Sequence, residues 1–143
     1  MQIQKCTLEN VPLLAQMNKR LIEDEKSTNP MTVAELEERM HGFLSTDYSA
    51  YFFIEESCVV GYALVKDTEK PLYLRQFFIE REFRRKHLGR QAFQLLIDYL
   101  HADTINIDVL PWNEPGLRFW QSCGFAETCI SMQYKGNDVC NIK

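Results

Sequence analysis

Arg84, Arg85, Lys86 and Arg90 crowd into seven consecutive positions around Gly89, and this is the densest chemistry-bearing stretch of the chain. Main-chain N–H groups at the start of a helix lack intrahelical partners and lie at the positive end of the macrodipole, so cations beside them suggest an anion site. A diphosphate would suit it. The alternative is a solvated basic helix start after an ordinary strand. A second group is the acidic run Glu23-Asp24-Glu25 at the end of an amphipathic stretch. Carboxylates there oppose the macrodipole, which hints at another use, although a solvated helix end is the simpler reading of such a run. Asp108 lies on a later alternating stretch and can be either a base or a satisfied structural carboxylate. Cys123 is a possible nucleophile by type, but no histidine stands beside it and a core thiol is the simpler reading.

The elements that must position these groups follow from periodicity. Residues 72–79 are apolar enough for a buried strand, and Phe93, Leu96, Ile97 and Leu100 recur at helical spacing, so 80–89 is the turn between them. Upstream, residues 2–7 alternate weakly as a strand. Asn10 can cap a helix with Pro12 in its first turn and Val11, Leu14, Met17 and Leu21 on its buried side. Thr32 and Glu35 form a capping box for a second helix. AYFFIE and VVGYALVK, joined at Glu56-Ser57, read as an antiparallel hairpin. Downstream, TINIDVL alternates as a strand at 104–110, parallel to 72–79 through a right-handed crossover. Asn113 and Pro115 then open a short helix that Gly124 can end, and 125–135 is expected to be a last strand.

The whole chain bounds the possibilities. Its 143 residues, 45% hydrophobic and 25% charged, fit one domain, 1–143. A net charge of −4 argues against a general nucleic-acid binder and makes the basic turn a local feature. Five cysteines without a CxxC pair or zinc-like Cys/His spacing imply reduced thiols and no metal. With no secretory leader pattern or membrane-length apolar run, a cytoplasmic protein without a membrane partner is expected.

Two motifs carry a family resemblance. RRKHLG, residues 84–89, resembles the Gln/Arg-x-x-Gly-x-Gly/Ala signature of the GNAT N-acetyltransferases, with His87 where the first Gly is expected. NEPGLRFWQSCGF resembles the family's Asn-x-x-Ala-x-x-x-Tyr-x-x-x-Gly-Phe element, with Gly116 near the small-residue position and Trp120 at the tyrosine position. The order β-α-α-β-β-β-α-β-α-β agrees with both over nearly the whole chain.

The resemblance implies an α/β fold with a mixed sheet of six to seven strands, about four helices, and two splayed central parallel strands. It also implies acetyl-coenzyme A as co-substrate and a primary amine of a small molecule or peptide as acceptor, in a monomer or homodimer. The main chain of Phe77, Phe78 and Ile79 would hold the pantetheine arm, and Arg84, Arg85, Lys86, His87, Leu88, Gly89 and Arg90 the diphosphate. Asn113, Phe119 and Trp120 would flank the thiol end. The family often places a carboxylate base on the central strand, where this chain has Arg75 and Gln76. Asp24 and Asp108 are therefore the substitute bases, and Tyr73 or Tyr134 the substitute acids. Arg75 would face the acceptor, and Glu23, Asp24 and Glu25 would favour a cationic one. The absent base and acid also allow a non-catalytic acyl-coenzyme A sensor, and the basic turn alone would allow a nucleotide- or phosphate-binding domain.

Overall fold

The computed structural model describes residues 1–136, which fall into two compact units, 1–113 and the segment from Glu114 onward. The first is a five-stranded sheet in the order β1-β2-β3-β4-β5: β1 (Gln2–Lys5), β2 (Tyr48–Glu55), β3 (Cys58–Lys66), β4 (Leu72–Ile79) and β5 (Ile105–Asn106). Helices α1 (Val11–Asp24), α2 (Val33–Leu44) and α3 (Leu88–Leu100) complete that unit. Neighbours are antiparallel from β1 to β4, whereas β4 and β5 are parallel. The second unit contains α4 (Glu114–Ser122).

The local chemistry explains most of these elements. Thr32 Oγ1 accepts from the Glu35 N–H at 3.2 Å while Glu35 Oε1 accepts from the Thr32 N–H at 2.9 Å, the reciprocal box expected for α2. Glu56 and Ser57 both have positive φ, 50° and 65°, as a two-residue hairpin turn matched to strand twist requires. Asn10 departs from its expected role. Its Oδ1 accepts from the Thr7 N–H at 2.9 Å, closing a 3-10 turn over Leu8–Asn10 instead of capping α1. Helix α4 ends in a Schellman arrangement: Gly124 N–H reaches Gln121 O and Phe125 N–H reaches Trp120 O, each at 3.0 Å, with Gly124 at φ 102°.

Pleat alternation assigns the two faces of the sheet. Val11, Leu14, Met17 and Leu21 of α1 and Met40 of α2 pack with Ala50, Phe52, Tyr62, Leu64 and Phe78 in one buried cluster. Tyr51 and Phe77 point the other way, against Tyr99 and Phe93 of α3 at ring distances of 5.3 and 6.4 Å. Two bulges adjust the register. Val60 is the extra residue where Phe53↔Gly61 gives way to Ile54↔Val59, and Arg75 is the extra residue between the pairs Leu64↔Gln76 and Val65↔Leu74.

Three expectations are corrected. The described sheet has five strands rather than six or seven, and the strand expected over 104–110 shrinks to Ile105–Asn106 because β4 pairs it only at Leu72↔Ile105 and Tyr73↔Asn106. No strand forms over 125–135 among the described residues, where Ile130, Met132 and Tyr134 are at least 80% exposed. Alternation prescribes a pleat, yet a strand exists only where a second backbone pairs with it.

Backbone geometry yields two opposed expectations. A Cβ on Gly61 would stand 2.2 Å from the Phe78 carbonyl oxygen, so Gly61→Ala should lower the unfolding free energy by about 1–3 kcal/mol or more in a denaturant titration. His87 adopts the left-handed region at φ 58°, ψ 21°. Relief of its Cβ strain, about 1–2 kcal/mol less the ~0.5–1 kcal/mol entropic cost of glycine, means His87→Gly should leave stability equal or higher in the same assay.

Candidate functional site

The basic turn is held by a charge clamp on α1. Residues 81–86 form a 3-10 helix, and Arg20 and Asp24, one helical turn apart on α1, meet Glu80 before it and Arg81 and Arg84 within it. Arg20 donates to both Glu80 oxygens, from Nε at 2.9 Å and Nη2 at 2.6 Å. Asp24 accepts from Arg81 Nη2 at 2.6 Å and from Arg84 Nη2 on its other oxygen. Burial opposes the charge on Asp24, but the hydrogen bonds from Arg84 and Arg81 outweigh it and hold its carboxyl below the ordinary value. The acidic end of α1 thus has the second use its position hinted at. A carboxylate so neutralised is a weak proton acceptor, which removes the basis for giving Asp24 the role of base.

Arg84 is similarly committed. Its Nε donates to the Ile79 carbonyl at 2.7 Å and its guanidinium lies 5.4 Å from the Phe78 ring centre. Its side chain is directed at β4 and α1 rather than outward for an anion. His87 then supplies the positive φ at which the family signature carries glycine, and Leu88 and Gly89 open α3. The Lys86 ammonium lies 5.8 Å from the Phe83 ring centre, and Arg90 follows in the first turn of the helix.

The edge of β4 leads into this turn. Glu80 N–H donates to Val60 O at 2.8 Å, so successive main-chain groups alternate back from there, Phe78 toward β3 and Phe77 and Ile79 toward the β5 side. The last registered β4–β5 pair is Tyr73↔Asn106, while β4 runs on to Ile79. The parallel pair therefore forks, and the fork opens toward the start of α3. Tyr73 marks its base: its hydroxyl donates to Asp108 Oδ2 at 2.8 Å. Burial, then the hydrogen bond to Asp108 and its charge, push the Tyr73 hydroxyl up to about 12. Such a tyrosine keeps its proton, so it orients Asp108 more readily than it serves as an acid. Tyr134, the other candidate acid, is 89% exposed.

On the α1/α2 face, Tyr62 is fully buried and its hydroxyl donates to Gln76 Oε1 at 2.7 Å. Glu25 closes α1 nearby, half-buried, and its charge acts on Tyr62. Burial, followed by the charge of Asp24, raises the Glu25 carboxyl above the ordinary value. Its main-chain oxygen accepts from Trp112 Nε1 at 3.0 Å, tying the loop after β5 to the end of α1. Within the acidic run the sequence gives no means of ranking Glu25 above Asp24, because both differences arise from burial and partners. Glu23 is exposed on the surface of α1. Arg75, carried out on its bulge, lies over the Phe43 ring at 4.8 Å and reaches the Tyr48 hydroxyl at 3.5 Å.

In the second unit Phe119 and Trp120 meet edge to face at 4.8 Å, as do Trp120 and Phe125 at 5.2 Å. Cys123 is half-buried there, and Asn113, at the end of the first unit, donates its N–H to Leu110 O at 2.9 Å. Among the described residues no group of three His, Cys, Asp or Glu could hold a metal ion, and no helix is long and apolar enough to cross a membrane.

Known proteins match this architecture. A possible acetyltransferase from Clostridium difficile 630 superposes with a TM-score of 0.75 at 14% identity, covering 94% of this chain and 95% of that one. An aminoglycoside acetyltransferase from an uncultured soil metagenomic sample, solved with sisomicin, gives 0.71 at 14% identity over 94% and 95%. Aminoglycoside N-acetyltransferase AAC(6')-Iy in complex with CoA gives 0.71 at 16% identity over 94% and 93%. No curated protein sequence matches. These likenesses establish the fold, and the Acetyltransferase (GNAT) family model matches residues 15–125, most of the chain. The chain belongs to the GNAT acetyltransferase family.

Proposed function

We propose that the chain is a single-domain N-acetyltransferase that moves an acetyl group from acetyl-coenzyme A to a primary amine of a small molecule or peptide, by direct attack in a ternary complex. The observation that carries this reading is the fork: β4 runs past its last pairing with β5 and points into the first turn of α3. The CoA bound by AAC(6')-Iy, which shares the fold, supports it.

Each part of the site has a role in this reading. The main chain of Phe77 and Ile79, turned to the β5 side, holds the pantetheine arm, with Phe78 keeping β4 on β3. N–H groups of Leu88 and Gly89 take the diphosphate, and Lys86 and Arg90 add positive charge. Arg84 and Asp24 act from behind by fixing the turn. Asn113 is assigned to the thiol end through the second motif. Acetyl-coenzyme A supplies an acyl group already activated as a thioester: the amine nitrogen forms the C–N bond as the C–S bond breaks, and sulfur leaves with the electron pair. An N–H of the β4 edge polarises the carbonyl, a contribution worth about 3–4 kcal/mol where such donors have been removed elsewhere.

The acceptor nitrogen must shed a proton, and Glu25 is the base that the environment favours. Burial raises its proton affinity above the ordinary carboxylate value, whereas Asp24 is neutralised by arginine. Asp108 is the second candidate, oriented by Tyr73. A non-catalytic acyl-coenzyme A sensor is the alternative, motivated by Arg75, Gln76 and Trp120 at positions where the family carries acid–base groups.

The deciding assay is thiol release from acetyl-coenzyme A over a panel of amines. Turnover with any of them supports the enzyme, and binding without turnover supports the sensor. Gly89→Glu places bulk and negative charge at the diphosphate and should abolish coenzyme A binding in calorimetry, while unchanged affinity would contradict the site. A base must be unprotonated to act, so kcat/KM should rise with pH through the raised Glu25 carboxyl. Glu25→Gln should cut kcat by about 10²–10⁴ and remove that limb. Full activity with an unaltered pH profile would exclude Glu25.

A further inference from the structure

We infer that the acceptor carries a carboxylate beside its amine, and that Arg39 and Arg75 receive it. This rests on the acetyltransfer reading and narrows its substrate class. Both guanidinium groups lie over the ring of Phe43, Arg39 at 5.5 Å from its centre and Arg75 at 4.8 Å. Arg75 stands on the bulge of β4, two residues before the Phe77 edge, so its side chain belongs to the face that α2 covers.

Neither cation has an anionic partner among the described residues. The ion pairs of Met1, Arg20, Arg81, Arg84 and Arg118 involve neither of them. Arg39 Nη2 donates to Asn18 Oδ1 at 3.1 Å, an uncharged acceptor that is itself 1% exposed, and Arg39 Nε is buried without any hydrogen-bond partner. Besides its ring contacts, Arg75 makes a long hydrogen bond to the Tyr48 hydroxyl at 3.5 Å. Burial and then the charge of Arg75 depress the Arg39 pKa, the signature of two cations held together at a cost. Of the carboxylates considered as bases, Asp108 accepts from Tyr73 and the charge of Glu25 acts on Tyr62.

A buried donor without a partner and two like charges around one ring constitute a site that an anion would complete. Arginine forks match a planar carboxylate, and the aromatic rings of Phe43 and Tyr48 hold the guanidinium planes in place. The acidic run at the end of α1 pointed from sequence to a cationic acceptor. With Asp24 absorbed by Arg81 and Arg84, the charges that flank Phe43 are the cations Arg39 and Arg75.

The test pairs ω-amino acids such as β-alanine and 4-aminobutyrate with their carboxamides, and compares kcat/KM for thiol release per unit of free base. The carboxylates should be preferred by about 10- to 100-fold, the range of a charge-assisted hydrogen bond. Arg75→Gln should shrink the ratio toward one and Arg75→Lys should restore part of it. Carboxamides used as well as or better than the acids would overturn the inference while leaving acetyltransfer intact. So would a preference for O-phosphoethanolamine over β-alanine, which would assign the cations to phosphate. Calorimetry with N-acetyl-β-alanine and its carboxamide makes the same comparison without turnover, and equal affinities there would also overturn it. Failure to bind coenzyme A at all would instead sink the acetyltransfer reading.

Discussion

The clamp between α1 and the turn after β4 is the interaction on which the site depends. Arg20 and Asp24 present opposite charges one helical turn apart and meet Glu80, Arg81 and Arg84 in complementary order. Exposed pairs taken singly are worth about 0–1 kcal/mol, but a bidentate contact and a shared carboxylate form a network whose members restrain one another. What the clamp supplies is position. It fixes where β4 stops, turns the Ile79 carbonyl into an acceptor for Arg84, and delivers the chain to His87 and the start of α3.

The fork in the sheet adjoins this clamp. β4 is bound to β3 on one side through Gly61, the close approach of whose backbone to Phe78 leaves no room for a Cβ. On its other side β5 pairs for two residues only, and the Tyr73 to Asp108 hydrogen bond closes the base of the opening. Strand edges are usually covered or blunted because they invite pairing. Here the edge leads to a helix start rich in cations, an arrangement suited to a ligand that is extended at one end and anionic at the other.

Charge divides the rest of the site by burial rather than by residue type. Three consecutive acidic residues end α1, and the fold gives each a different fate: Glu23 is exposed, Asp24 is neutralised by two arginines, and Glu25 is half-buried with its proton affinity raised. Arginines divide likewise. Arg84 is fixed in the clamp, while Arg39 and Arg75 flank Phe43 without an anion.

Residues close in sequence carried the information for elements, and residues distant in sequence carried the information for roles. The strand at 72–79, the capping box of Thr32 and Glu35, the hairpin at Glu56-Ser57 and the helix ended by Gly124 follow from periodicity and short-range hydrogen bonds, and all four stand in the structure. The family itself was visible in RRKHLG and NEPGLRFWQSCGF, because both motifs rest on local backbone requirements; His87 meets its positive φ without glycine. The length of β5, the absence of a strand over 125–135 among the described residues, the bulge at Arg75 and the pairing of Asp24 with Arg81 and Arg84 were not visible there. Each depends on which backbone or charge arrives from another element, such as Leu64 and Val65 for the bulge or Arg81 and Arg84 for Asp24, and a pattern of residue types specifies a surface without specifying its partner. The proton affinity of Glu25 belongs with them, since desolvation is a property of the packed fold and not of the chain.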